Sequence, residues 1–456
     1  MTSLRQIPSI VSMWKLAETW ALMVPLLFLA LHGQPWFLGP NDNYPSEAGD
    51  NSALVVTPAT APAQALKLGV LVFMVVISIR RPRSLIYQCN HNRLLVFLGL
   101  LAIASAAWSQ DPVRTIEFSS ILVVNMLFAF YLVERFRPDQ QIDLFIILGW
   151  IALVASFLMV AFYPAHGIDY KEGQTSPWEG IFLHKNDCAV VMCFLASGWF
   201  FRSARHVLRL VGIVYVLLVA VLLVMTESRT GWILAASLLI YLLSIETVVR
   251  FKFKDRVFIL CLLALASTLL IAALATHSSE FFVLIGKDPT ATGRTQIWAA
   301  VFNSIMKRPL LGFGYHAFFT AVAGESSNVT LALRTVMFHS QSGFLDVWLE
   351  LGAVGLGLLL LTIAQALKNA AVCLKEDASP SVKWYLGIVL MTIVVNLDER
   401  TLMHPNFLEW VMYMVGCSGL AEAARRVRKS RGEQSSRPKA DGRPSAAETG
   451  RLVARY

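Results

Sequence analysis

Three basic side chains have the types and settings needed to handle a phosphate-bearing substrate and an acceptor hydroxyl. Arg229 lies in the short turn Glu227–Ser228–Arg229–Thr230–Gly231 between two apolar runs. Its planar guanidinium suits bidentate contact with phosphate oxygens, either of a diphosphate or of a lipid headgroup. Arg294 opens a stretch of helical periodicity, one turn before Trp298, where a helix N-terminus also favours an anion. His339 precedes Asp346 and Glu350 by 7 and 11 residues, which on one continuous helix would set each carboxylate within about 20° of His339. An imidazole above two carboxylates fits a general base, and intramembrane carboxylates are functional candidates, although a structural hydrogen bond would also explain Glu350. Lys185, Arg308 and Arg334 are further cations that would share an anionic substrate or simply face solvent.

Other chemistries lack their equipment. There is no P-loop, no dinucleotide fingerprint around Gly312–Phe313–Gly314, no His-Glu-x-x-His pair, no Cys/His quartet and no Asp-x-Asp pair. No metal and no cofactor is expected. The six cysteines have neither metal-ligand spacing nor a place in the long polar loops, so no disulfide framework is expected.

The elements that must hold these residues are membrane helices. Of 456 residues, 56% are hydrophobic and 15% charged, against roughly a quarter charged in soluble proteins. The reading is an all-α polytopic membrane protein with about twelve spans, beginning near Met13, Leu66, Leu94, Thr115, Ile142, Asn186, Val207, Gly231, Arg256, Gly343, Trp384 and His404. The first run, Ala17 to Leu31, lacks a small-residue cleavage site and reads as a retained span. The formal charge of +9 is no nucleic-acid signal, because residues 422–456 alone supply +6. With both termini cytoplasmic, 28 of the 39 Lys and Arg fall inside and 11 outside. This divides the chain into a membrane domain over 1–421, a large periplasmic loop at 276–342 and a basic, disordered cytoplasmic tail at 422–456. Within the loop, Ile297, Trp298, Val301, Phe302, Ile305 and Met306 predict a short amphipathic helix lying along the membrane surface, stopped by Pro309 and Gly312–Phe313–Gly314.

The order of these motifs resembles the O-antigen ligase/polymerase superfamily of bacterial inner-membrane glycosyltransferases. It rests on Ser228-Arg229-Thr230-Gly231, Gly293-Arg294 with Trp298, Pro309 with Gly312 and Gly314, and His339 followed by Glu350-x-Gly352-x-x-Gly355. Gly180-Ile181-Phe182-Leu183-His184-Lys185-Asn186 is similar to the exopolysaccharide polymerase branch, and Trp108-Ser109-Gln110-Asp111-Pro112 fits as well. The likeness covers about 95–420. Asp398-Glu399-Arg400 departs from that branch, which would have a less basic cluster. The resemblance implies polymerisation, at the periplasmic face, of oligosaccharide units carried on undecaprenyl diphosphate. Arg229 and Arg294 would hold the donor diphosphate, and His339 would activate the acceptor hydroxyl. Transfer of a finished glycan to lipid A–core is the alternative reading, and a lipid-linked glycan transporter a third. A chain-length regulator and a flippase of the same pathway are the implied partners.

Overall fold

The computed structural model describes residues 10–34, 60–170, 176–202, 206–250, 255, 292–319, 325–327, 329, 338–376 and 378–436. Among these there is no strand beyond one isolated bridge between Ile168 and Trp178. The helices of ten residues or more are α1 (Ile10–Ala30), α2 (Ala61–Ile79), α3 (Pro82–His91), α4 (Arg93–Ala104), α5 (Pro112–Arg135), α6 (Pro138–Phe162) and α7 (Lys185–Phe201). They continue as α8 (His206–Met225), α9 (Arg229–Arg250), α10 (Thr292–Ile305), α11 (Gly343–Glu376), α12 (Pro380–Val395) and α13 (Leu408–Ser436).

Every apolar run named above is helical except the one beginning near Arg256, which lies outside the described residues. Helix α13 also runs on to Ser436, past residue 422 where the tail is expected to begin. Twelve full crossings are nevertheless more than the described residues show. Five helices (α2, α5, α6, α9 and α11) are long and apolar enough to cross a membrane, and the α3–α4 pair, bent by 96°, makes a sixth if it is one span. Of the other runs, α12 has 16 residues and α7 has 17, opening with Lys-Asn-Asp.

The core sits where α13 packs on α5, α11 and α12, and α7 packs on α6, α9 and α12. Fully buried Trp384, Tyr385, Tyr413, Phe128, Phe145 and Phe194 fill it. Arg202 with Asp143, Lys383 with Glu246, and Arg431 with Glu376 tie together ends of α6, α7, α9, α11, α12 and α13 at one end of the bundle. The turns carrying the motifs collect at the other.

Two features position the motif-bearing end. The first is a break inside α11. Gly352 has φ +67°, and a side-chain Cβ there would lie 2.1 Å from the Leu310 carbonyl oxygen. A break strands the backbone groups on either side of it, and the Pro309–Gly314 segment takes them up. The Phe313 and Gly314 amides donate to the Leu349 and Glu350 carbonyls at 3.0 and 2.9 Å. The Ala353 and Val354 amides donate to the Pro309 and Leu310 carbonyls at 2.8 and 3.3 Å. Gly312 (φ +69°) is needed for the same approach, since its Cβ would meet the Glu350 backbone at 2.5 Å. Gly352 thus serves a discontinuity in the helix, beyond any close packing that a small residue permits.

The second feature is the seat of that segment on α5. Trp108 donates its indole N–H to the Leu311 carbonyl at 2.9 Å, the Gln110 amide donates to Phe313, and Thr115 Oγ1 donates to the Tyr315 carbonyl. Helix α10 buries Ile297, Val301 and Ile305 against Phe313, Phe318 and Leu349. Its apolar face therefore packs on protein, and it is Phe302 and Met306 that stay exposed.

Candidate functional site

Four motif segments far apart in sequence meet at one end of the bundle. In the turn before α9, Ser228 Oγ donates to Asn186 Oδ1 at 2.7 Å, and Asn186 Nδ2 donates to Glu399 Oε1 at 2.7 Å. Thr230 Oγ1 donates to Asp398 Oδ2 at 2.8 Å. The loop after α12 then holds the start of α11, because the Gly343 amide donates to the Asn396 and Glu399 carbonyls at 3.1 and 2.9 Å. Finally, Trp298 of α10 donates its indole N–H to the Ser340 carbonyl at 3.1 Å. The segments 184–187, 227–231, 338–343 and 396–400 are thereby one connected polar layer.

Arg229 is half-buried at the start of α9 within this layer, and Lys185 is half-buried at the start of α7. Arg294 lies in the first turn of α10; its side chain is outside the described residues, as is all of Arg334. Arg308 is exposed. It donates to the Trp108 carbonyl at 3.3 Å and lies 5.1 Å from the Phe313 ring centroid, so the contacts it makes here fasten the Pro309–Gly314 segment.

His339 does not share a helix with Asp346 and Glu350. Helix α11 begins only at Gly343, and residues 339–342 form a turn in which Gln341 has φ +57°. The Gln341 amide donates to His339 Nδ1 at 3.1 Å. The two carboxylates face a different partner. Arg400, whose side chain is 9% exposed, reaches Asp346 at 3.3 Å and Glu350 at 3.4 Å. It also donates to His316 Nε2 at 2.9 Å and to the Phe338 carbonyl at 3.1 Å. Asp346 Oδ1 in turn accepts the Ser340 amide at 2.9 Å. Asp346 and Glu350 are therefore the counter-charges of a buried arginine, and the Arg400–Asp346 pair grips the chain on both sides of His339. This arrangement could have been sought from the sequence, because two carboxylates near a span need a cation and Arg400 stood close to another span end.

His316 is stacked on Phe118 at 4.2 Å. Burial, with Arg400 and Arg114 nearby, holds its pKa well below the usual imidazole value, consistent with a neutral ring accepting from Arg400. His404 is held down in the same way by burial, Arg400 and His316.

Sequence reasoning missed His32 altogether. It follows α1, stacks on Phe407 at 3.6 Å, and sits between Asp187 and Glu409 at 3.4 Å each. Burial works against its charge, but the two carboxylates prevail and push its pKa up to about 10. Asp187 is within electrostatic reach of His32, His184 and His339 together. No spacing rule points from residue 32 to residues 187 and 409. The linkage has a definite sign: a pKa raised above the ordinary imidazole value of about 6.5 gives stability that is complete below pH of about 6.5 and is lost as pH rises through about 10. We expect His32→Gln to lower the thermal midpoint at pH 6.5 and to converge on the parent near pH 10. A gap that stays constant across that range would show that His32 is not charged in the fold.

Residues 214–360 match the O-antigen ligase family. The chain is 27% identical over 124 residues to the "Exopolysaccharide production protein ExoQ" of Rhizobium meliloti (strain 1021), covering 26% of this chain and 28% of that protein. It is 31% identical over 88 residues to the "Putative polysaccharide ligase RP358" of Rickettsia prowazekii (strain Madrid E), covering 19% of this chain and 22% of that protein. The matches thus span about a quarter of these relatives' lengths. The resemblance read from the motifs is supported, its exopolysaccharide side included.

Proposed function

Because residues 214–360 carry the O-antigen ligase family's segment, we propose that this chain is a membrane glycosyltransferase that joins lipid-diphosphate-linked oligosaccharide units into a polysaccharide at the outer face of the inner membrane. The observation that carries the reading is the convergence of the 184–187, 227–231, 338–343 and 396–400 segments on one polar layer at a single end of the bundle. Positive charge is disfavoured on the outer side of a membrane protein, so cations gathered there call for an anionic ligand.

The chemistry follows from the donor. The acceptor hydroxyl oxygen bonds to the anomeric carbon, the bond from that carbon to the diphosphate oxygen breaks, and the electron pair leaves with the diphosphate. Such a leaving group needs charge stabilisation more than a proton, and preorganised guanidinium donors supply it. Arg229 and Arg294 take that role, with Lys185, Arg308 and Arg334 as further cations for the substrate. His339 stands at the reacting end, with Asp346 and Glu350 behind it holding Arg400. The acceptor's proton passes to a base at the site.

The test is reconstitution in liposomes with the undecaprenyl-diphosphate-linked repeat unit of the same host, EDTA present. A ladder of lengthening glycan is expected, with turnover reduced about 10- to 100-fold in Arg229→Ala and Arg294→Ala. The polysaccharide ligase name of one relative favours the second reading, in which product forms only when lipid A–core is added. Flux of substrate across the bilayer without chemical change would replace both with a transporter.

A further inference from the structure

A cleft of about 200 Å³ lies at the end of the bundle away from the polar layer, where α1, the close of α5 and the first turns of α6 meet. Helix α6 supplies most of its wall. Gln140, Asp143, Leu144 and Ile147 recur at i, i+3, i+4 and i+7 and so share one face. That face is graded along the helix: Ile147 stands about 6 Å further from the α6 N-terminus than Asp143. Arg135 and Phe136 close the cleft from α5. The polar groups are thus near the helix ends, and the aliphatic ones lie deeper along the bundle.

Arg135 and Asp143 bring opposite charges to this wall, and each already has one ion pair. Arg135 commits Nε and Nη2 to Glu18, which also accepts from Tyr131 at 2.5 Å. Asp143 faces Arg202 at 2.8 Å. Neither group is used up. A guanidinium has five N–H donors and a carboxylate about four acceptor positions, and the two side chains remain 20% and 37% exposed. Around the cleft the balance is even as well, since Arg137 and Asp139 in the same turn are both exposed.

This lining selects a ligand by its charges. A simple anion at Arg135 would meet Asp143, and a simple cation at Asp143 would meet Arg135. A ligand carrying both charges a few ångströms apart satisfies the two together. The phosphate end is favoured further by the α6 N-terminus, where the helix dipole attracts an anion. The aliphatic wall beyond calls for an apolar chain joined to that polar head. Trp20, 55% exposed and one residue from Thr19 on the α1 side, fits the depth at which tryptophan collects, the boundary between headgroups and hydrocarbon.

We propose that this cleft is a binding site for an amine-bearing phospholipid, with the phosphate on Arg135, the primary ammonium on Asp143 and an acyl chain along Leu144 and Ile147. The site is separate from the reaction proposed above and stands or falls without it. Its consequence is for α1. That helix is tied to Arg135 through Glu18 at this end and leads to His32 between Asp187 and Glu409 at the other. A headgroup bridging α1, α5 and α6 braces the helix that delivers this histidine to the polar layer.

Native mass spectrometry of the full chain, stripped of lipid in detergent and titrated with single phospholipids of identical acyl chains, tests the assignment. Phosphatidylethanolamine offers Asp143 three N–H donors. Phosphatidylcholine has the same charges and no such donor, and phosphatidylglycerol has the phosphate and no cation. The parent is expected to hold one phosphatidylethanolamine about tenfold more tightly than either of the others. In Asp143→Asn that preference should shrink to about twofold, because the carboxamide accepts a hydrogen bond without the charge.

Location is tested by Ile147→Trp, which fills the cleft and leaves every charge in place; tight phosphatidylethanolamine binding should disappear. Gln140→Trp serves if that variant does not elute as the parent does on size exclusion. The headgroup series on the parent needs no variant. Equal retention of the three lipids, or a preference for phosphatidylglycerol, overturns the proposal. So does tight phosphatidylethanolamine binding that persists in a folded protein with the cleft filled.

Discussion

Arg400→Ala is expected to destabilise the protein by about 3–5 kcal/mol, the usual cost of removing one partner from a buried ion pair. The size comes from what is left behind. Asp346 and Glu350 are 4% and 6% exposed, and without Arg400 they become carboxylates close together with no cation in contact. His316 Nε2 and the Phe338 carbonyl lose their donor at the same time. The origin of the loss is open to test. If orphaned charge is responsible, neutralising the carboxylates in Arg400→Ala/Asp346→Asn/Glu350→Gln should restore much of it, because the Asp346→Asn change keeps an oxygen for the Ser340 amide. Unfolding midpoints in mixed detergent would decide. An Arg400→Ala protein as stable as the parent, or a triple variant no better than the single, would mean the cluster is not held by charge.

Gly352→Ala is the second large effect, at about 2–5 kcal/mol. A left-handed backbone costs an L-residue about 1–2 kcal/mol. The remainder, about 1–3 kcal/mol, is steric, since the new methyl would lie 2.1 Å from the Leu310 oxygen and 2.4 Å from the Leu311 nitrogen. Relief requires either that the Pro309–Gly314 segment lift away, exposing the Leu349 and Glu350 carbonyls and the Ala353 and Val354 amides, or that α11 straighten. The control is Gly357→Ala on the same helix, where a Cβ meets nothing within 4 Å and helix propensity favours alanine. Protease cleavage near residue 310 in Gly352→Ala, absent in Gly357→Ala, would report the segment lifting. Equal stability of the two variants would show that the break is not built on Gly352.

The sequence told much about the elements and less about what joins them. Apolar length announced nearly every helix, because burial and lipid exposure both demand it. Its twelve runs exceed the five or six helices that are long and apolar enough to cross a membrane among the described residues, where a run such as Pro380–Val395 is short and largely buried in protein. The amphipathic pattern of α10 was correct as periodicity but not as partner: the buried stripe of Ile297, Val301 and Ile305 is satisfied by Phe313 and Leu349, and periodicity cannot say what covers a face. The helical spacing of 339, 346 and 350 failed for a local reason. The chain turns at Gln341 before the helix begins at Gly343, so angles counted from residue 339 do not apply. Arg400 stands in a visible charged cluster, but its pairing with Asp346 and Glu350 is not written in the sequence, and His32 carries charge into the layer from a loop whose neighbours give no sign of it. Only the fold brings residue 32 to residue 409.

The clamp formed by Arg400 also bears on what can be exchanged between relatives. The family match ends at residue 360, yet the guanidinium that holds Phe338, Asp346 and Glu350 comes from residue 400, and the carboxamide that orients Glu399 comes from residue 186. A transplanted 214–360 segment would carry Arg229, Arg294 and His339 and leave both supports in the donor chain. The recognisable segment is therefore not a cassette. Residues 186 and 396–400 must travel with it, and inheritance in this chain has to act on the whole polar layer rather than on the stretch where likeness is easiest to see.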